Sequence, residues 1–226
     1  MSRARVEGAP AWRRQLRVPR GLLGSIFGHL MTFTNRRINR MALELAGVEP
    51  GDHVLEIGFG PGKTIEALSR RAHQGFVAGI DPSEAMLRQA RRRNAAALDR
   101  GRVDLRRGSI SHIPFGDGAF HKVLTINTLF FWPEPESDLR EVRRVLEEEG
   151  QLVICFRKKE PPAEGRQGDD PRALWGTSIG QVEEMLDTAG FRDIRRTVRN
   201  DPTIAWNLTT SSGSYGSESV GVCATA

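Results

Sequence analysis

A chain of 226 residues holds one well-buried α/β domain with a modest extension, not two full-sized ones. Hydrophobic residues at 38% and charged residues at 27% are ordinary for a globular protein, which excludes fibrous and wholly disordered classes. A formal net charge of +5, carried mostly by arginine, permits contact with nucleic acid or an anionic surface, but at this length it is ordinarily a solvated surface.

The first twenty residues are arginine-rich with one acid, Glu7, a composition similar to a transit peptide. Pro10 and Pro19 interrupt any amphipathic helix there, so residues 1–20 read as a basic, flexible tail ahead of a single domain over 21–226. The apolar stretch Gly21–Met31 is too short to span a membrane and contains His29. From Leu22 to Ala46 the apolar residues recur at helical spacing, broken by Gly24 and Gly28, and Gly47 suits a left-handed C-cap. Residues 21–47 are therefore expected to form a helical cap of two helices or one bent one.

Strand and helix signals then alternate. "HVLEIG" (His53–Gly58) predicts a strand and Thr64–Ala72 a helix; "FVAGID" (Phe76–Asp81) predicts a second strand, with Ser83 capping a long helix through Asn94. "VDLRRG" (Val103–Gly108) and "KVLTIN" (Lys122–Asn127) are the third and fourth strands, Ser137–Glu149 a helix, and "QLVICFR" (Gln151–Arg157) the fifth strand. Two loops, 158–177 and 200–217, flank a helix capped by Ser178 and a strand "FRDIRRTVR", and "SVGVCAT" closes the chain. Such alternation demands crossovers, hence a mostly parallel sheet covered on both faces. With no helix between the last two strands, they are expected to pair antiparallel.

The run "VLEIGFGPGKTIEAL" (Val54–Leu68) poses the functional question. A phosphate-binding loop needs G-x-x-x-x-G-K-[ST], and Ile57 stands where its first glycine should be. The dinucleotide fingerprint G-x-G-x-x-G needs a third glycine at 63, where lysine stands. What remains is Glu56, Gly58, Gly60 and Gly62, with a strand before, a helix after, and Asp81 closing the next strand. Bare backbone plus an acid able to accept two ribose hydroxyls suits a cofactor with a sugar and no phosphate cradle.

"VLEIGFGPGKT", "GIDPSEAMLRQA", "RRGSISHIPFGDGAFHKVLTINTLFFW" and "LREVRRVLEEEGQLVI" resemble the successive motifs of class I S-adenosylmethionine-dependent methyltransferases, nearest the small-molecule branch with ubiquinone and menaquinone C-methyltransferase-like proteins. The resemblance covers about Val48–Phe191. It implies a Rossmann-like, doubly wound, seven-stranded and mostly parallel sheet of order 3-2-1-4-5-7-6, strand 7 antiparallel. In that order Cys155 and Cys223 lie on neighbouring strands; they show neither metal spacing nor a disulfide framework, so a reducing, cytoplasmic setting fits.

The resemblance assigns S-adenosylmethionine to this chain's residues. Glu56 would approach the methionine amino group; Gly58, Phe59, Gly60 and Gly62 would line the methionine and ribose; Asp81 would hold the ribose hydroxyls. Pro82, Ser83 and Met86, with Gly108, Ser109 and Ile110, would surround the adenine, and Asn127 and Thr128 would close the site beneath the sulfonium. Ser109 departs from the family's usual acid at that position.

For the acceptor, three aromatics follow the fourth strand, Phe130, Phe131 and Trp132, and cannot all point inward. Phe131 and Trp132 with Phe27, Met31, Trp175 and Trp206 are expected to form an apolar pocket for a small aromatic or heteroaromatic acceptor. Methyl transfer needs alignment more than side-chain chemistry, so no base is evident. His29 and Tyr215 are the candidates, while His53 and His121 fall at the amino edge of the sheet, His73 ends a helix and His112 sits in a turn. A nucleic-acid acceptor, suggested by "RQARRRN", lacks the Asn/Asp-Pro-Pro-aromatic signature of base methylation, and a non-catalytic cofactor binder is disfavoured by the intact Glu56 and Asp81. The sequence is compatible with a homodimer.

Overall fold

The computed structural model describes residues 35–159, 178–200 and 215–226. The basic tail, the start of the helical cap and most of both long loops lie outside these residues.

Helix α1 (Arg36–Ala46) buries Ile38, Met41, Ala42 and Ala46, a stripe at three- and four-residue spacing laid on the sheet. Gly47 ends it in the left-handed conformation with φ 50°, as the sequence predicts. Strand β1 (His53–Ile57) leads through the glycine turn into α2 (Lys63–Arg71). Strand β2 (Phe76–Asp81) leads into α3 (Glu84–Arg93), capped by the Ser83 hydroxyl, which accepts from the Met86 N–H.

The long helix expected after Ser83 breaks at Asn94, and α4 (Ala95–Asp99) follows. The buried Asn94 amide donates to the carbonyls of Gly62 and Ala90, fastening this junction to the glycine turn. Strands β3 (Val103–Arg107) and β4 (Phe120–Ile126) follow, then a 3-10 turn over Leu129–Phe131 and helix α5 (Pro135–Val145).

Helix α5 is shorter than its sequence suggests. Leu146 already has extended angles, and β5 runs Leu146–Lys159, with Leu146 paired to Phe120. The glutamates that favour helix are overruled by that strand pairing, at the cost of a register irregularity and a positive φ of 65° at Glu149. Helix α6 (Ile179–Thr188) opens with a reciprocal capping box between Ser178 and Gln181. Strands β6 (Arg192–Asn200) and β7 (Tyr215–Thr225) complete the described chain, so Tyr215 opens the last strand instead of preceding it in a loop.

The seven strands lie in the order β3-β2-β1-β4-β5-β7-β6, with β7 antiparallel to β5 and β6, as the resemblance implies. One core fills the face under α5 and α6, around Leu55, Phe120, Val142, Phe156 and Leu186. The other fills the face under α1, α2 and α3, around Ile38, Val54, Ile65, Leu124 and Cys155. The outer strands carry their arginines exposed: Arg106 and Arg107 on β3, and Arg192, Arg195, Arg196 and Arg199 on β6. Cys155 pairs with Gly221, and Cys223 with Val153; both are free thiols, and burial pushes Cys155 up to about 12. Among the described residues, no helix is long and apolar enough to cross a membrane.

Candidate active site

Parallel pairing of β1 and β2 sets Glu56 beside Gly79 and brings Asp81 just past the end of β1. Both acids are buried, at 2% and 7% exposure. Glu56 takes hydrogen bonds from the Thr64 hydroxyl and the Ile65 N–H in the first turn of α2. The Ile65 N–H belongs to a helix start that has no intrahelical acceptor to offer it. Its Oε2 has no hydrogen-bond partner. Burial, reinforced by the charge of Asp81, raises the Glu56 carboxyl to about 8 in spite of those bonds. Asp81 accepts from the Gly60 N–H at 2.9 Å and the Ser83 N–H at 2.8 Å, yet burial still lifts it to about 6.

Three glycines shape the turn between these acids, with φ of 75°, 52° and 75° at Gly58, Gly60 and Gly62. Their reasons differ. A Cβ on Gly58 would meet the Thr128 methyl at 2.4 Å, and one on Gly62 would meet the Ala90 Cβ at 2.6 Å. A Cβ on Gly60 would meet nothing within 4 Å. The expectation that all three clear room for a ligand thus divides: Gly62 lets α2 and α3 pack closely, while Gly60 borders open space.

The other expected cofactor residues separate in the same way. Phe59 is buried, its ring against Gly79, and Met86 packs in the same core. Ile110 belongs to the core on the opposite face of the sheet. Ser83 is spent on the α3 cap, and the exposed Pro82 offers its carbonyl to Arg107. The Gly108 N–H donates to the Asp81 carbonyl, which brings the third strand's exit to the acid. Ser109 is exposed, and its hydroxyl accepts from the Ser111 N–H at 3.4 Å.

At the end of β4, Asn127 holds a left-handed φ of 57°, unusual for a residue with a side chain. Its Oδ1 accepts from the Arg157 N–H at 3.0 Å and its Nδ2 donates to Asn35 at 3.4 Å, so one amide joins β4, β5 and the start of α1. Thr128 is hydrogen-bonded to Thr125 and accepts from the Trp132 indole N–H at 3.0 Å. Sequence reasoning missed Thr64, Thr125 and Asn35. For Thr64 the signal was present, since a hydroxyl two residues past a glycine turn stands next to the preceding strand's acid.

The aromatic run resolves unevenly. Phe130 packs edge-on against Phe156 with ring centres 5.9 Å apart, and Trp132 is buried with its indole N–H committed to Thr128. Phe131 alone of the three stays partly exposed. The expected acceptor residues Phe27, Met31, Trp175 and Trp206, and the candidate base His29, lie outside the described residues. Tyr215 pairs through its backbone with Lys159. His53 donates its backbone N–H to His121 Nδ1 at 2.7 Å, at the amino edge, far from Asp81. A cleft of about 570 Å³ lined by Arg140, Arg143, Leu146 and Arg192 opens at that same amino edge and not at the glycine turn.

S-adenosylmethionine, which the resemblance implies, carries an ammonium group, a ribose diol and a chain that must pass close to backbone. The buried, unpartnered Oε2 of Glu56 suits the ammonium, Asp81 the diol and the open side of Gly60 the chain, so the residues present fit the group.

Residues 55–154 match the family profile described as a methyltransferase domain. The chain is 32% identical over 170 residues to the uncharacterized methyltransferase YdaC of Bacillus subtilis, covering 75% of this chain and 87% of that one. It is similar in fold to a SAM dependent methyltransferase from Aquifex aeolicus, at TM-score 0.61 and 24% identity over 83% of this chain and 88% of that one. It is likewise similar to a phosphoethanolamine N-methyltransferase of Haemonchus contortus solved with S-adenosylhomocysteine, at TM-score 0.66 and 16% identity over 84% and 52% of the two chains.

Proposed function

Since the chain belongs to the class I S-adenosylmethionine-dependent methyltransferases, with S-adenosylmethionine as its cofactor, we propose that it methylates a small, largely apolar acceptor, aromatic or heteroaromatic, held at the carboxyl end of β4. The observation that carries this reading is Phe131, the partly exposed aromatic directly beyond Asn127 and Thr128.

The cofactor supplies a methyl group already activated on a sulfonium. The protein's residues then bind, orient and keep water out. Glu56, braced by Thr64 and Ile65, presents its free oxygen to an ammonium group. Asp81 is held in place by the Gly60 and Ser83 N–H groups and retains lone pairs for two hydroxyls. Asn127 and Thr128 brace the floor beneath the reacting centre, and Phe131 offers an apolar face to the acceptor ring. Of the described histidines His112 follows β3 at this end of the sheet, in a turn where its backbone N–H donates to the Ser109 carbonyl, and the reading assigns no general base.

A nucleic-acid acceptor draws less support. Of the basic residues around α3 and α4, Arg91, Arg93 and Arg102 donate to the carbonyls of Leu105, Pro61 and Ser69 and so act as structural braces, and Arg88 pairs with Glu84. The test is transfer of label from cofactor to a panel of small aromatic phenols, amines and heterocycles, with total RNA in parallel. Label in the small-molecule fraction, lost in Asp81→Ala, is expected; label confined to RNA would overturn the reading.

A further inference from the structure

Strand β3 ends on two arginines that the pleat sends to opposite faces. Arg106 turns to the face under α5 and α6. There it pairs with Asp104 at 2.7 Å, donates to the Pro114 carbonyl and lies over the Phe115 ring at 4.3 Å. Arg107 turns the other way, with Val103 and Leu105, to the face that carries α2 and α3. Its register partner on β2 is Asp81, and the next residue, Gly108, donates its N–H to the Asp81 carbonyl at 3.2 Å. Arg107 therefore stands beside the acid that suits the cofactor's ribose.

The contacts of Arg107 are few. Its Nε donates to the Pro82 carbonyl at 3.3 Å, and among the described residues the guanidinium makes no other hydrogen bond and no ion pair. The side chain is exposed. That single bond holds a planar cation at the rim just past Asp81, between Pro82 and the exit of β3, where the base of a nucleoside held at Asp81 has to lie. Two side chains expected to enclose that base are turned away from it. Met86 is 2% exposed within the core under α2 and α3, and Ile110 is 6% exposed within the core on the other face. Ser109 stands where the family's usual acid would accept from the adenine amino group, and it brings no charge. What remains beside the base is the guanidinium plane.

We propose that Arg107 covers the adenine ring of the cofactor, so that the base is held by its face and not by its amino group. A guanidinium stacks on an aromatic face through its own plane and through the ring's quadrupole, and the attraction grows as the two exclude water. Face recognition tolerates a change at the ring's edge, whereas recognition of an amino group does not. The inference rests on the cofactor alone and is independent of which acceptor is methylated.

Displacement calorimetry near pH 7 would compare S-adenosylhomocysteine, S-ribosylhomocysteine, which lacks the base, and S-inosylhomocysteine, whose base carries an oxygen in place of the amino group. Arg107→Ala is expected to weaken S-adenosylhomocysteine about tenfold and S-ribosylhomocysteine less than about twofold. The wild type is expected to bind the inosyl compound within about fivefold of S-adenosylhomocysteine. Arg107 is exposed and spends one bond within the protein, so the alanine variant is expected to fold. Equal weakening of both ligands in Arg107→Ala means that the side chain only braces Pro82, and overturns the proposal. Unchanged affinity for S-adenosylhomocysteine overturns it as well. Rejection of the inosyl compound by more than about fivefold in the wild type shows that the amino group is read, and overturns recognition by the face.

Discussion

Glu56 and Asp81 lie buried on adjacent parallel strands, and the charge of Asp81 adds to burial in holding the Glu56 carboxyl protonated to about 8. The pair sets a pH dependence of stability whose sign follows from proton counting. Glu56 titrates at 4.5 in the unfolded chain and about 8 in the folded one, so between those values the folded protein binds more protons. Asp81 acts in the same sense from 3.8 to about 6. Their contribution is full at low pH and is lost as pH rises through the folded values. Melting temperature of the cofactor-free protein is therefore expected to fall from about pH 5 to about pH 9, with a shallower slope in Glu56→Gln. Scanning calorimetry at stepped pH decides it; a slope unchanged by the substitution would show that Glu56 does not titrate in this range.

Gly60 and Gly62 in the turn predict opposite phenotypes. Gly62→Ala forces a Cβ to 2.6 Å from Ala90 at a left-handed φ, and is expected to cost about 2–4 kcal/mol of stability. Gly60→Ala enters open space and bears only the left-handed strain, about 1–2 kcal/mol, but it fills the side that the cofactor needs. Urea melts should rank Gly62→Ala as the more destabilised, and titration with S-adenosylhomocysteine should rank Gly60→Ala as the weaker binder. The reverse order in either measurement contradicts this division of labour.

Asn127 carries two separable loads, its left-handed backbone and its bond to the Arg157 N–H. Asn127→Gly keeps the first and removes the second, at a cost of about 1–2 kcal/mol; Asn127→Ala loses both, at about 2–4 kcal/mol. Hydrogen exchange at the Arg157 amide should accelerate in both variants. Protection that survives in Asn127→Gly would mean the amide is held by something else.

Phe131 and Trp132 adjoin in sequence but belong to different tasks. Trp132→Ala empties a core position and leaves the Thr128 hydroxyl with Thr125 alone, costing about 3–5 kcal/mol. Phe131→Ala is expected to cost about 1 kcal/mol of stability while raising the KM for an aromatic acceptor severalfold. A Phe131→Ala enzyme with unchanged KM would remove the ring from the acceptor site.

Strand–helix alternation and the two acids were legible in the sequence because each depends on local pattern: buried parallel strands read as apolar runs, and an acid at a strand's end interrupts such a run; the sheet order came with the family resemblance. What was not legible depends on contacts across the fold. The end of α5 could not be seen, because "LEEE" favours helix until Phe120 offers Leu146 a strand partner. The separate reasons for Gly58, Gly60 and Gly62 were hidden because the three share one conformation and differ only in their neighbours. Trp132 looked like part of a ligand surface because nothing local shows that Thr128 takes its indole N–H.

The exposed arginines of β3 and β6 have a consequence for how copies of the protein meet. An outer strand with unpaired backbone groups is a template for another sheet, and β6, paired with β7 on one side, turns alternate backbone groups outward along its nine residues. Arg192, Arg196 and Arg199 pair with Glu149, Glu183 and Glu44, so that border carries charged, paired side chains on every copy, which a second strand would have to displace and desolvate before the backbones could zip together. Part of the positive excess that first hinted at a polyanionic partner thus serves as self-avoidance, keeping the sheet at seven strands.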